Sequence, residues 1–258
     1  MRTAMPEPSV LILGGTGEAR ELARLLDESG VPVVTSLAGR VADPRLPVGR
    51  VRVGGFGGVD GLAAWIGEAE ITAIVDATHP FAARITPNAV AAAELTGVGY
   101  LRLARPPWSP GAGERWTRVP DIAAAATAVA ERGGSRVFLT TGRQDVSEFA
   151  EIDDAWFLIR VVDPPEGPLP PHHRVLRSRG PYRLADETAL LREHRIDVLV
   201  TKNSGGEMTV AKLRAAARLG VEVIVVDRPA EPGGIARVNT PSEALDWLSG
   251  PAGRGEIR

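Results

Sequence analysis

Five short segments bring together residue types that hold anions or move protons. They are 14–19 (Gly-Gly-Thr-Gly-Glu-Ala), 36–40 (Ser-Leu-Ala-Gly-Arg), 78–81 (Thr-His-Pro-Phe), 141–145 (Thr-Gly-Arg-Gln-Asp) and 202–206 (Lys-Asn-Ser-Gly-Gly). In the first, Gly14 and Gly15 permit a sharp turn and a close approach of backbone N–H groups to a pyrophosphate. Thr16, Gly17, Glu18 and Ala19 then open a helix whose positive end adds to that attraction. The match to G-x-G-x-x-G is incomplete, because Arg20 stands where the third glycine would be. An ordinary tight turn is the alternative, but this one follows the first strand of a βαβ unit, where a nucleotide fingerprint belongs.

The second segment bears on the cofactor. NAD-binding sheets place Asp or Glu at the end of their second strand, against the ribose 2′-hydroxyl. Here that region has no acid. Ser36 and Arg40 suit a 2′-phosphate instead, as a hydroxyl donor and a planar cation for a dianion, so NADPH is expected over NADH. A solvated Arg40 with no ligand is the competing reading. In the third segment, Thr78 leads into His79, Pro80 and Phe81. Pro80 stiffens the turn, and Phe81 offers a flat apolar face to a nicotinamide or a substrate ring. His79 could act as an acid, because an imidazole's intrinsic pKa lies near neutrality, or it could simply bond to backbone. In the last two segments Thr141, Gly142 and Arg143, then Lys202, Asn203, Ser204, Gly205 and Gly206, could hold carboxylates or phosphates.

These segments need strands and helices to present them. β-Branched runs alternate with Ala/Leu-rich amphipathic stretches, the pattern of βαβ units around a parallel sheet. Strands are expected at 10–13, 32–36, 51–53, 71–76 and 100–103, then at 136–140, 156–161, 197–201 and 221–226. Helices are expected at 18–28, 61–67, 83–95, 122–131, 184–194, 207–219 and 241–248. All five segments then follow strands, where open parallel sheets bind ligands. Residues 104–113 carry three prolines and two glycines. That composition breaks the chain into an α/β nucleotide-binding domain over 1–104, a connector over 105–113 and a second α/β domain over 114–258. Each reads as a Rossmann-like, doubly wound parallel sheet.

Composition narrows the chemistry. The chain has 258 residues, 44% hydrophobic and 24% charged, and a net charge of −2. Nucleic acid is not an expected partner, since such binding rests on dense cationic contacts. There is no cysteine, which excludes disulfides, thiolate nucleophiles and thiolate-held metals. His172 and His173 lie in a proline-rich stretch without nearby acids, so no metal site is expected. No signal peptide or bilayer-spanning run is visible, so the expected location is cytoplasmic and no membrane partner is expected. Without an apolar stripe to mark an interface, the sequence leaves the oligomeric state open and is compatible with a monomer. The only lysines are Lys202 and Lys212, in a chain otherwise reliant on arginine. A lysine in a special place is then more apt to be there for its chemistry.

With these segments in view, the sequence resembles the precorrin-6A reductase family of cobalamin biosynthesis. The resemblance is carried by Leu13-Gly14-Gly15-Thr16-Gly17-Glu18-Ala19-Arg20, Asp76-Ala77-Thr78-His79-Pro80-Phe81-Ala82, Thr141-Gly142-Arg143 and Thr201-Lys202-Asn203-Ser204-Gly205-Gly206, in that order. In such a family Arg20 is part of the motif. The resemblance implies NADPH-dependent hydride transfer to the C18=C19 bond of the precorrin-6A macrocycle. It also implies an active site in the cleft between the two domains, with the nucleotide mainly on the first. The tetrapyrrole's acetates and propionates would meet Arg84, Arg143 and Lys202, with Lys202, then His79, as candidates to polarise the substrate or deliver a proton. A cobalt-bearing substrate and a non-catalytic NADP-sensing module are the alternatives. A short-chain reductase is disfavoured, because neither Tyr100 nor Tyr182 has lysine four residues later.

Overall fold

The structure is a computed structural model, and it describes residues 9–39 and 45–250. The chain forms two compact units. One runs through the described residues up to Arg105 and resumes at Ala230; the other is Pro106–Pro229.

The first unit contains β1 (Ser9–Leu13), α1 (Gly17–Glu28), β2 (Val33–Leu37), β3 (Arg50–Val53), α2 (Val59–Glu68), β4 (Ile71–Asp76), α3 (Ile85–Thr96) and β5 (Gly99–Leu103). The second contains β6 (Trp116–Val119), α4 (Ile122–Ala130), β7 (Arg136–Leu139), a 3₁₀ helix (Arg143–Phe149), β8 (Trp156–Val161), β9 (His173–Arg177), α5 (Leu184–Glu193), β10 (Val198–Lys202), α6 (Ala211–Leu219) and β11 (Glu222–Val226). The chain then returns to the first unit as β12 (Ala236–Val238) and α7 (Pro241–Ser249).

All the strand pairs are parallel. The first sheet has the order β12-β5-β4-β1-β2-β3, and the second β6-β11-β10-β7-β8-β9. Both are doubly wound sheets of Rossmann order, so the expected fold class holds. In each sheet the sixth strand comes from the other half of the sequence: β6 follows β5 in the chain yet pairs with β11, and β12 follows β11 yet pairs with β5.

The expected boundary is corrected by this exchange. Residues 230–250 do not belong with the second domain, since β12 pairs with β5 and α7 packs on α1. The apolar face of α7 (Ala244, Leu245, Trp247, Leu248) joins Ala19, Leu22, Ala23 and Leu26 in one core cluster with Val10, Ile12 and Val75. The supposed connector is corrected too. From Pro106 onward it belongs to the second unit, where Trp108 packs beside the core of Phe138, Leu199 and Leu213.

Sheet periodicity explains the layering. Alternate residues of β1 face opposite sides, Val10 and Ile12 toward α1 and α7, Leu11 and Leu13 toward α2 and α3. Both faces are covered, which is why these strands read as continuous apolar runs. Ala244 is fully buried between helices. Ala244→Glu would force a charge into that contact and is expected to cost about 3 kcal/mol or more. Hydrogen exchange should then lose protection in α1 and β5 while 106–229 stays protected; equal loss in both units would contradict the assignment of α7.

Candidate active site

In both sheets the strand order reverses at a central pair, β1 and β4 in the first and β7 and β10 in the second. Ligands of such sheets bind at the carboxyl ends of these pairs. Four of the five segments singled out by sequence follow these four strands.

On the first sheet, the turn after β1 is stitched to the turn after β4. Thr16 caps α1 by accepting from the Ala19 amide (3.1 Å), and its hydroxyl donates to the Ala77 carbonyl (2.7 Å). The Ala77 amide in turn donates to the Leu13 carbonyl (2.9 Å). Gly14 is required by contact, because a Cβ there would lie 2.7 Å from Thr35 Cγ2. Gly15 is required by conformation, with φ at +111°, and a Cβ there would meet nothing within 4 Å. The turn is therefore tight beneath and open in front. First-turn amides of a helix have no intrahelical acceptor, and Thr16 satisfies that of Ala19, which leaves those of Gly17 and Glu18 for a ligand. These features fit a pyrophosphate. The Glu18 carboxylate is taken by Arg105 (2.7 Å), which offsets an acid beside an anion site.

Ser36 lies near the end of β2 and is almost fully buried, paired in register with Leu13 on one side and Arg52 on the other. Arg40 lies outside the described residues.

The turn after β4 is organised by Asp76, whose side chain is 0% exposed. Its Oδ1 accepts from the Thr78 amide (3.0 Å), the Thr78 hydroxyl (2.7 Å) and Arg102 (3.1 Å). Its Oδ2 accepts from the hydroxyls of Thr86 (2.6 Å) and Tyr100 (3.1 Å). Arg102, 1% exposed, also donates to the Asp76 and Thr78 carbonyls and to Glu231 on the segment leading to β12. Burial, then the charge of Asp76, pushes the Tyr100 hydroxyl far above its ordinary range, so it stays a donor. The Thr78 hydroxyl is thus bonded inward. His79 Nδ1 accepts from the Phe81 amide (3.3 Å), which assigns the ring proton to Nε2 in the neutral form, and its ring lies 5.8 Å from that of Phe81. Pro80 is buried, and Arg84 is exposed just before α3.

Neither Arg102 nor Glu231 is signalled by sequence: an arginine inside an apolar strand carries no motif, and Glu231 is 129 residues away. Arg102→Met should cost about 3–5 kcal/mol by leaving Asp76 buried without its cation. Urea unfolding checks this; a loss below about 1 kcal/mol would mean that the pair contributes little beyond a surface contact.

On the second sheet, the Lys202 ammonium is paired with Asp145 (2.6 Å), each side chain 18% exposed. Asp145 lies in the 3₁₀ helix that follows β7, and Lys202 ends β10, so the pair joins the two central turns. Thr140 donates from both its amide and its hydroxyl to the Val200 carbonyl (3.0 Å each). Thr141 is buried, and Arg143 reaches the exposed Glu166 (3.2 Å). Asn203 is committed inward: its Oδ1 accepts from the Trp108 amide (2.8 Å) and its Nδ2 donates to the Trp108 carbonyl (3.1 Å). Trp108 Nε1 donates to the Gly206 carbonyl (3.2 Å), and Arg228 donates to the carbonyls of Asn203 and Ser204. The carbonyls of Asn203, Ser204 and Gly206 are thereby occupied. Gly205 and Gly206 follow with φ of +69° and +82°, a backbone suited to presenting consecutive N–H groups to an anion. Trp108 and Arg228 were not foreseen, since each acts across a long sequence separation.

A family model described as precorrin-6x reductase CbiJ/CobK matches residues 9–249. The precorrin-6A reductase of Rhodococcus erythropolis is 56% identical, covering 93% of this chain and 96% of that protein. That of Mycobacterium tuberculosis is also 56% identical, covering 93% and 97%. The cobalt-precorrin-6A reductase of Priestia megaterium is 30% identical, covering 85% and 90%. A solved structure of CobK precorrin-6A reductase superposes with a TM-score of 0.88 at 44% identity, covering 94% of this chain and 96% of that one. A two-sheet chain with both central turns built in this way, matched by a family model over nearly its whole length, belongs to the precorrin-6x reductase CbiJ/CobK family.

Proposed function

We propose that this chain is an NADPH-dependent precorrin-6A reductase, adding hydride to C19 and a proton to C18 of the metal-free macrocycle in cobalamin biosynthesis. The observation that carries the nucleotide reading is the Gly14-Gly15-Thr16 turn at the reversal point of the first sheet, fastened to the next strand by Thr16 and open in front of Gly15. The absence of an acid over 36–39 supports NADPH over NADH. The substrate reading follows the relatives: those named for precorrin-6A share 46–56% identity, and those named for the cobalt form 29–30%.

When bound, the reduced nicotinamide supplies the hydride. The protein's part is positioning and charge. The Gly17 and Glu18 amides would hold phosphate. The rigid Thr78-His79-Pro80-Phe81 turn would border the nicotinamide, with Phe81 as the flat surface. Arg84, Arg143 and the Gly205–206 amides would take substrate carboxylates. Asp145 fixes the Lys202 ammonium at the strand end, where it can hold a carboxylate or deliver the proton to C18. His79, as an Nε2–H donor, is the second candidate.

NADPH oxidation with metal-free precorrin-6A, coupled to a spectral change of the macrocycle, is the expected result. Tight NADPH binding with no oxidation would favour a sensing module. Lys202→Ala should lower kcat/KM for the macrocycle by roughly tenfold or more while the NADPH dissociation constant stays near the parent value. Collapse of NADPH binding instead would remove Lys202 from the substrate side.

A further inference from the structure

We infer that Arg52, near the carboxyl end of β3, is the residue that reads the 2′-phosphate of the nucleotide. This rests on the NADPH reading above. β3 lies beside β2, and Arg52 is in register with Ser36, so the two side chains leave the same face of the sheet next to each other. The end of the second strand is where a doubly wound sheet reads the ribose 2′ substituent.

The guanidinium is held in one orientation. Its terminal nitrogens donate to the Gly54 carbonyl (2.7 Å) and the Gly55 carbonyl (2.8 Å). Its carbon lies 3.8 Å from the centroid of the Phe56 ring and 5.8 Å from that of Trp65. Two carbonyls and an aromatic face fix the plane of the fork, so little side-chain freedom remains to be lost on binding. These partners orient the charge without cancelling it. Arg24, Arg102, Arg105, Arg132 and Arg160 each meet a carboxylate. Among the described residues Arg52 is paired with none.

Space is available as well. A Cβ at Gly54 or Gly55 would meet nothing within 4 Å, so the turn that orients the cation does not crowd it. A half-buried, pre-oriented and uncompensated guanidinium matches a planar, bidentate recognition of a phosphate dianion. Sequence alone directs attention to Ser36 and Arg40, because only strand pairing brings Arg52 to the same place.

The test is titration of the intact protein and of Arg52→Ala and Arg52→Lys with NADP⁺, NAD⁺ and 2′,5′-ADP, alongside thermal unfolding of each. Arg52→Ala should weaken NADP⁺ and 2′,5′-ADP by roughly 10- to 100-fold and NAD⁺ by no more than about twofold, as expected for a charged hydrogen bond lost only with the phosphate. Lysine should restore part of that loss. If the alanine variant fails to fold, Arg52→Gln keeps an N–H donor for the carbonyls without the charge, and the same selective loss decides. Equal losses for NADP⁺ and NAD⁺, or no loss, would overturn the role of Arg52 while leaving the NADPH reading intact. A parent protein that binds NAD⁺ as tightly as NADP⁺ would overturn both.

Discussion

A carboxylate with no exposure ends the strand at the centre of the first sheet, and much else follows from keeping it charged. Asp76 would be costly there alone, since burying an unpaired ion costs several kcal/mol. Arg102 on the neighbouring strand supplies the opposite charge, and two threonines, a tyrosine and one backbone amide occupy the remaining lone pairs. The demand for donors shapes the Thr78-His79-Pro80-Phe81 turn. The same arginine reaches Glu231 and so fastens the segment that leads to β12. Charge compensation thus couples the local shape of the site to the completion of the sheet.

The second sheet solves the same problem with different groups. Its central turns are joined by the Lys202–Asp145 pair, beside the bond from the Thr140 hydroxyl to the Val200 carbonyl. The turn after β10 is braced by Asn203 on the backbone of Trp108 and by Arg228 on two carbonyls. Both lysines of the chain serve this region, with Lys212 Nζ lying 5.2 Å from the centroid of the Trp108 ring. In an arginine-rich chain, that is where a compact ammonium on a flexible stem has been kept.

Much of the architecture is legible in the residues. Nine strands and all seven described α-helices have apolar periodicity strong enough to read, because their faces are buried on one or both sides. What escapes is instructive. β6 (Trp-Thr-Arg-Val), β9 (His-Arg-Val-Leu-Arg) and β12 (Ala-Arg-Val) are edge strands, short and half polar, and their pairing partners alone make them strands. The expected helix start at 207 moves to Ala211, because residues 203–210 carry the turn instead. The 3₁₀ helix at Arg143–Phe149 has too few residues to show a period.

By itself, the sequence determined the two-sheet α/β class, the family resemblance and the glycine- and hydroxyl-rich turns that follow the strands. These are written in local patterns, such as glycine beside a strand end or apolar residues at fixed spacing. Tertiary structure alone decided that residues 230–250 complete the first sheet, that Asn203 faces inward to Trp108, that Asp145 holds Lys202, and that Arg52 stands beside Ser36. Each of these is a partnership across a strand pair or across many residues of chain. A local pattern reports which groups need partners, and only the packed sheet determines which partners they find.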